Sequence, residues 1–229
     1  MIFDLEFCDQ VAYAVPGNTN NFPDYSKLAA FYDNATQELY QNFDYSLQQI
    51  ACNTTSSAQF SLASTCDDCA SAYKEWLCSV RIPRCTDFSS DLAWLQERNI
   101  GQPYPNGTQL DQMILDQAST SLSSNSSRNT DIDSIVQPGP YKETLPCQEL
   151  CWSIVQKCPA IFGFGCPDQG SQTYRTSYGT RPDGSIEQSG QITCNYPGAA
   201  YYLSAGHFDV GAGSLWSTLS AVITMAFLF

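Results

Sequence analysis

From Asp24 to Ile50 the apolar positions Leu28, Phe31, Tyr32, Ala35, Leu39, Phe43, Leu47 and Ile50 recur three or four residues apart. That spacing gives a helix with one apolar face for core packing. Pro23 suits its start, and Asn21 or Asp24 can cap it. A second helix runs from Cys69 to Cys78, behind a capping box from Thr65 to Asp68, and Pro83 ends it by residue 82. A third runs from Cys147 to Cys158 between Pro146 and Pro159. Leu92 and Leu95 predict a short helix within 86–98. Tyr174, Thr176 and Tyr178 alternate ahead of the turn Pro182-Asp183-Gly184, which predicts a small hairpin. Residues 99–144 are rich in Ser, Asn, Gly and Pro, with SLSSNSSRNTD at their centre. They read as a flexible, exposed insertion.

Composition places this pattern outside the cell. Of 229 residues, 43% are apolar and 14% charged, which suffices for a folded core. The net charge of −13 argues against nucleic acid or an anionic membrane surface as partner. Eleven cysteines and four N-x-S/T sequons, at Asn34, Asn53, Asn106 and Asn125, fit a secreted glycoprotein stapled by disulfides. Zinc is the rival reading of Cys66-x-x-Cys69, but Cys78 and Cys85 do not repeat that spacing and no histidine is near. An odd count leaves one thiol without an intrachain partner.

Helical phase constrains the pairing. Nine positions at about 100° per residue put Cys69 and Cys78 on opposite sides of their helix, so they staple it to two different neighbours. Cys147, Cys151 and Cys158 share one face, so each is expected to reach out to a loop, with Cys166 and Cys194 as the loop cysteines downstream.

The two ends carry their own signals. Met1 to Cys8 has two acids and no apolar run of signal-peptide length, so the chain reads as the C-terminal part of a longer protein. Residues 215–229, LWSTLSAVITMAFLF, are uncharged but rise only about 22 Å as a helix, against roughly 30 Å of hydrocarbon. Small residues from Ser204, a polar spacer and this tail have the proportions of a glycolipid-anchor signal, with Ser204 as the attachment site. A short tail anchor is the alternative. The expected layout is an ectodomain over 1–204 and a spacer with hydrophobic anchor over 205–229.

No catalytic constellation is present. His207 is the single histidine, which removes Ser-His and Cys-His chemistry from the rest of the chain. There is no G-x-S-x-G, phosphate loop, H-E-x-x-H or EF-hand. Asp67 and Asp68 sit where acids favour a helix dipole. A two-carboxylate hydrolase would need a facing pair across a cleft. No catalytic residue, cofactor or metal is expected, and the chain is read as a non-enzyme.

The cysteine helices carry a resemblance. Glu75-Trp-Leu-Cys78-Ser-Val-Arg-Ile-Pro-Arg-Cys85 and Pro146-Cys147-x3-Cys151-x6-Cys158 are similar to the cysteine-rich domain of Frizzled-type receptors, as is the opening from Phe7 to Asn18. With Cys66-Asp-Asp-Cys69, Gly163-Phe-Gly-Cys166-Pro and Thr193-Cys194-Asn-Tyr-Pro, they resemble more closely the fungal stretch-activated calcium-channel component Mid, over residues 3 to 204. The resemblance implies a mainly α, disulfide-stapled, Frizzled-like domain with a minor β-hairpin and long loops. It implies bridges Cys8–Cys78, Cys69–Cys158, Cys147–Cys194 and Cys151–Cys166. Cys52 and Cys66 fall outside that order and are expected to bond each other, and Cys85 is left unpaired. The function implied is an extracellular auxiliary subunit at the plasma membrane, held by its anchor, that supports calcium influx by binding a separate pore-forming subunit. An anchored module binding a lipid or protein ligand is the alternative.

Overall fold

The computed structural model describes residues 1–51, 63–118, 121–181 and 192–198. Three helices form its frame. Helix α1 spans Tyr25–Leu47 and starts at Asp24, whose side chain accepts from the Ser26 N–H. Helix α2 spans Cys66–Arg81 with a reciprocal Thr65/Asp68 capping box, and its C-cap is Ile82, just before Pro83. Helix α5, the third of the frame, spans Gln148–Lys157.

Helix α1 joins two cores. Its first half gives Ala29 and Tyr32 to a cluster with Ile2, Val11, Ile82, Ile132 and Val136. Its second half gives Phe43 and Leu47 to a cluster with Ala72 of α2 and Ile154 of α5. Buried Asp33 clasps the N-terminal segment to α1, accepting from the N–H groups of Phe7 and Cys8 at 2.8 Å each. Aromatic rings fill the second core, where Phe43 stacks on Tyr73 with centroids 3.7 Å apart.

The stretch 86–98 is not helical. Strands β1 (Arg84–Thr86) and β2 (Leu95–Arg98) flank β3 (Tyr141–Thr144) in an antiparallel sheet of order β1-β3-β2. Two leucines cannot outweigh the turn-forming Asp87-Phe-Ser-Ser-Asp run, and the strand edges find β3 from far along the chain. Nor is the Tyr174 segment a hairpin arm. It forms helix α6 (Gln172–Ser177), capped by Ser171, whose side chain accepts from the Tyr174 N–H. The turn at 182–184 lies outside the described residues, as do Ser204 and the tail 205–229.

The largest departure from expectation is 99–144. It contains helices α3 (Gln112–Ala118) and α4 (Leu122–Asn125), a π-helix over Ile132–Val136, and β3. Ile100, Ile132 and Val136 are fully buried, so the segment belongs to the core rather than to an exposed excursion. What holds so polar a stretch is Glu143, fully buried on β3. Its carboxylate takes Arg98 Nε at 2.6 Å and Arg128 Nε at 2.9 Å. The same arginines donate to the carbonyls of Ser123, Thr176 and Ser177, tying α4 and α6 to the sheet. Burial alone would push the Glu143 carboxyl up, but Arg128 and Arg98 hold it below its ordinary value of 4.5.

Glu143→Ala leaves two buried guanidinium groups without their counter-ion, and is expected to cost about 3–5 kcal/mol in denaturant unfolding. Because the folded carboxyl is depressed, its contribution is complete above the unfolded value near 4.5 and drains away only as the pH falls below it. The gap between variant and wild type should therefore be flat through neutral pH and narrow in acid.

Candidate functional site

Helix α5 is built to present one face. Leu150, Cys151 and Ile154 point inward and are buried. Trp152 and Val155, three residues apart on the outer side, stay 39% and 43% exposed, and Ile161 in the following turn is 80% exposed.

Covalent bonds pin this helix at both ends and in the middle. Cys147 bonds Cys194, Cys151 bonds Cys166, and Cys158 bonds Cys69. A fourth bridge joins Cys8 to Cys78. These are the four pairs that the family resemblance implies. Cys69 and Cys78 do staple α2 to two different neighbours. Cys147 and Cys151 reach loop cysteines, but Cys158 meets a helix instead of a loop. There α2 and α5 pack side by side, with the Cys69 and Cys158 Cα atoms 4.6 Å apart. Gly179 permits the Cys147–Cys194 bridge, since a Cβ there would stand 2.8 Å from Cys194 Cβ. Cys66 is also disulfide-bonded; the proposed partner Cys52, like Asn53, lies outside the described residues.

Cys85 is the free cysteine among the described residues. Its N–H donates to the Ala14 carbonyl at 2.8 Å, and its side chain packs on the first core. Burial pushes its thiol up to about 12. The thiol is thereby made inert. One cluster of metal-type side chains occurs among the described residues, at Cys147, Glu149 and Cys194. Its two sulfurs are bonded to each other, so neither is a thiolate donor.

The remaining predicted residues are scattered. Asn34 is exposed on α1, Asn106 is exposed in a loop, and Asn125 is half-buried at the end of α4. The Asn106 Oδ1 accepts from the Thr108 N–H and hydroxyl at 3.0 and 2.7 Å, leaving its Nδ2 free. Two cavities stand out. One of about 180 Å³ lies between Asp9, Gln10, Lys74 and Glu75, and is crossed by the Lys74–Asp9 ion pair at 3.0 Å. The other, of about 430 Å³, is walled by Asn18, Asn21, Tyr104 and Asp133. Neither has an apolar lining of the kind an acyl chain requires. Sequence reasoning missed the second cavity because its walls come from three separate stretches, within 18–21, 102–105 and 133–137. Among the described residues, no helix is long and apolar enough to cross a membrane.

Residues 1–200 match the family described as a stretch-activated Ca2+-permeable channel component, Mid1. The chain is 41% identical over 204 residues to the stretch-activated cation channel yam8 of Schizosaccharomyces pombe, covering 89% of this chain and 36% of that protein. It is 34% identical over 169 residues to the stretch-activated cation channel MID1 of Saccharomyces cerevisiae, covering 73% and 26%. A MID1 from Cryptococcus neoformans var. grubii is 28% identical over 182 residues, covering 73% and 27%. The chain thus spans about a third or less of the length of these curated relatives. No solved structure matches it.

Two measurements test the frame. The Cys69–Cys158 bridge closes a separation of 89 residues, and replacing both cysteines by Ala should cost about 4 kcal/mol, read as a lower denaturant midpoint. The native chain at pH 8 should resist maleimide. After unfolding without reductant it should take one label, mapping to Cys85.

Proposed function

Since the chain belongs to the Mid1 family of stretch-activated Ca2+-permeable channel components, we propose that it works as an extracellular, non-catalytic auxiliary unit. Its role is to bind a separate pore-forming calcium-channel subunit and support calcium influx. The observation that carries this reading is the outer face of α5. Trp152 and Val155 stand in solvent on a helix that three disulfides hold still. Aromatic anchors on a rigid element lose little entropy on docking and are the residue types that dominate protein interfaces. A bound domain shifts gating only by preferring one state of the channel, and a rigid face can make that distinction. The disulfide density supports an oxidising, extracytoplasmic setting. N-glycans at Asn34, Asn53, Asn106 and Asn125, and attachment to the membrane at Ser204, complete the proposal. The mixed polar and apolar lining of both cavities weighs against a lipid ligand.

The test is co-purification with the pore-forming subunit from fungal membranes. Trp152→Glu with Val155→Glu should lower capture about tenfold or more and reduce calcium uptake in parallel. Both positions are exposed, so thermal unfolding should stay close to wild type. Deleting residues 215–229 should release the chain from the membrane and reduce uptake as well. Capture and uptake that survive the double substitution would reject α5 as the docking face, and uptake indifferent to loss of the whole chain would reject the role.

A further inference from the structure

The cavity of about 430 Å³ lies within the size range of small-molecule sites, roughly 300–1,000 Å³. Its walls are held before any ligand arrives. The Asn18 Nδ2 donates to the Gln137 carbonyl at 2.9 Å, and the Asn20 Nδ2 to the Pro105 carbonyl at 3.0 Å. The Asn21 Nδ2 lies 3.2 Å from the carbonyls of both Ile135 and Val136, at the end of the π-helix. Gln137, which closes that helix, takes the left-handed conformation at φ 54° without being a glycine. Gly139 admits the facing loop, because a Cβ there would stand 2.8 Å from Tyr104 Cα. A π-helix and a strained non-glycine residue together mark the kind of backbone found at binding sites.

Polar atoms are left over after this scaffolding on residues that line the cavity. Among the described residues the Gln102 side-chain amide, the Tyr104 hydroxyl and the Oδ1 atoms of Asn20 and Asn21 make no hydrogen bond, and the Tyr104 ring stacks on no other ring. No cationic side chain lines the cavity, which disfavours phosphate or another anion. Asp133 is the one carboxylate, and both its oxygens already accept from the Ser127 N–H, which disfavours a cation. What remains is the Gln102 side-chain amide, the Oδ1 atoms of Asn20 and Asn21, and the Tyr104 hydroxyl and ring. Planar amides pair with vicinal hydroxyls, and an aromatic face covers the C–H side of a pyranose.

We infer that this cavity is a carbohydrate site for a neutral hexopyranose chain. Two sources share that chemistry. One is polysaccharide outside the chain. The other is the chain's own N-glycan on Asn106, two residues from Tyr104 and with its Nδ2 free.

Calorimetric titration of the full chain, secreted from a fungal host, with laminarihexaose, mannohexaose and chitohexaose tests the site in wild-type and Asn106→Gln forms. At least one of the three should bind the Asn106→Gln chain saturably. Adding Tyr104→Ala or Gln102→Ala should weaken that binding about tenfold, the weight of one well-placed hydrogen bond. Thermal unfolding of the Gln102→Ala chain should stay close to wild type, since that side chain makes no hydrogen bond among the described residues. Binding by Asn106→Gln alone would identify the chain's own glycan as occupant, and equal binding by both forms an external polysaccharide. Absence of saturable binding by the Asn106→Gln chain, or binding that survives both cavity substitutions, overturns the site.

Discussion

Among the described residues Glu143 is the one carboxylate that is fully buried and clamped by two arginines, and the polar half of the molecule depends on it. Residues 99–144 hold too few apolar side chains to fold by burial alone. Their order comes from a buried charge that attracts Arg98 and Arg128 and, through them, the carbonyls of Ser123, Thr176 and Ser177. Such a triad is costly to desolvate and weak as a source of net stability. Its value is geometric, because a buried carboxylate accepts few arrangements of its partners. The π-helix and two of the three stretches that wall the cavity lie in the segment so ordered.

The apolar half obeys a different constraint. Helix α1 runs through both cores, and α2 and α5 meet its second half. A chain of this size with small cores loses much conformational entropy on folding, and the disulfides reduce that loss by constraining the unfolded state. They also remove the usual slack between packed helices. Three bridges on a ten-residue helix leave α5 little freedom to slide or rotate.

This division explains what could be read from the sequence. The three frame helices announced themselves because their signals are local: the apolar spacing from Leu28 to Leu47, the Thr65–Asp68 box, and the prolines around Cys147 and Cys158. The four bridges became legible only through family resemblance, since phase alone said which cysteines could not pair and left their partners open. Residues 99–144 misled for a physical reason. Ile100, Ile132 and Val136 are too sparse to make a period, and the force that orders them acts between Arg98 and Glu143, 45 residues apart. The same distance argument applies to strands β1 and β2, whose shared partner β3 lies at the far end of the polar stretch, and to the cavity, whose walls meet only in three dimensions.

The two proposed contact sites sit on different cores. The outer face of α5 belongs to the second core, while the amide-lined cavity is walled by the π-helix and N-terminal segment of the first. Helix α1 joins them, with the Asp33 clasp at one core and the Phe43–Tyr73 stack at the other. Between those two faces the frame is continuous: α1 carries both cores, and the Cys8–Cys78 and Cys69–Cys158 bridges fix α2 to the N-terminal segment and to α5. Noncovalent packing yields by sliding when loaded, whereas a bridged frame moves as one body.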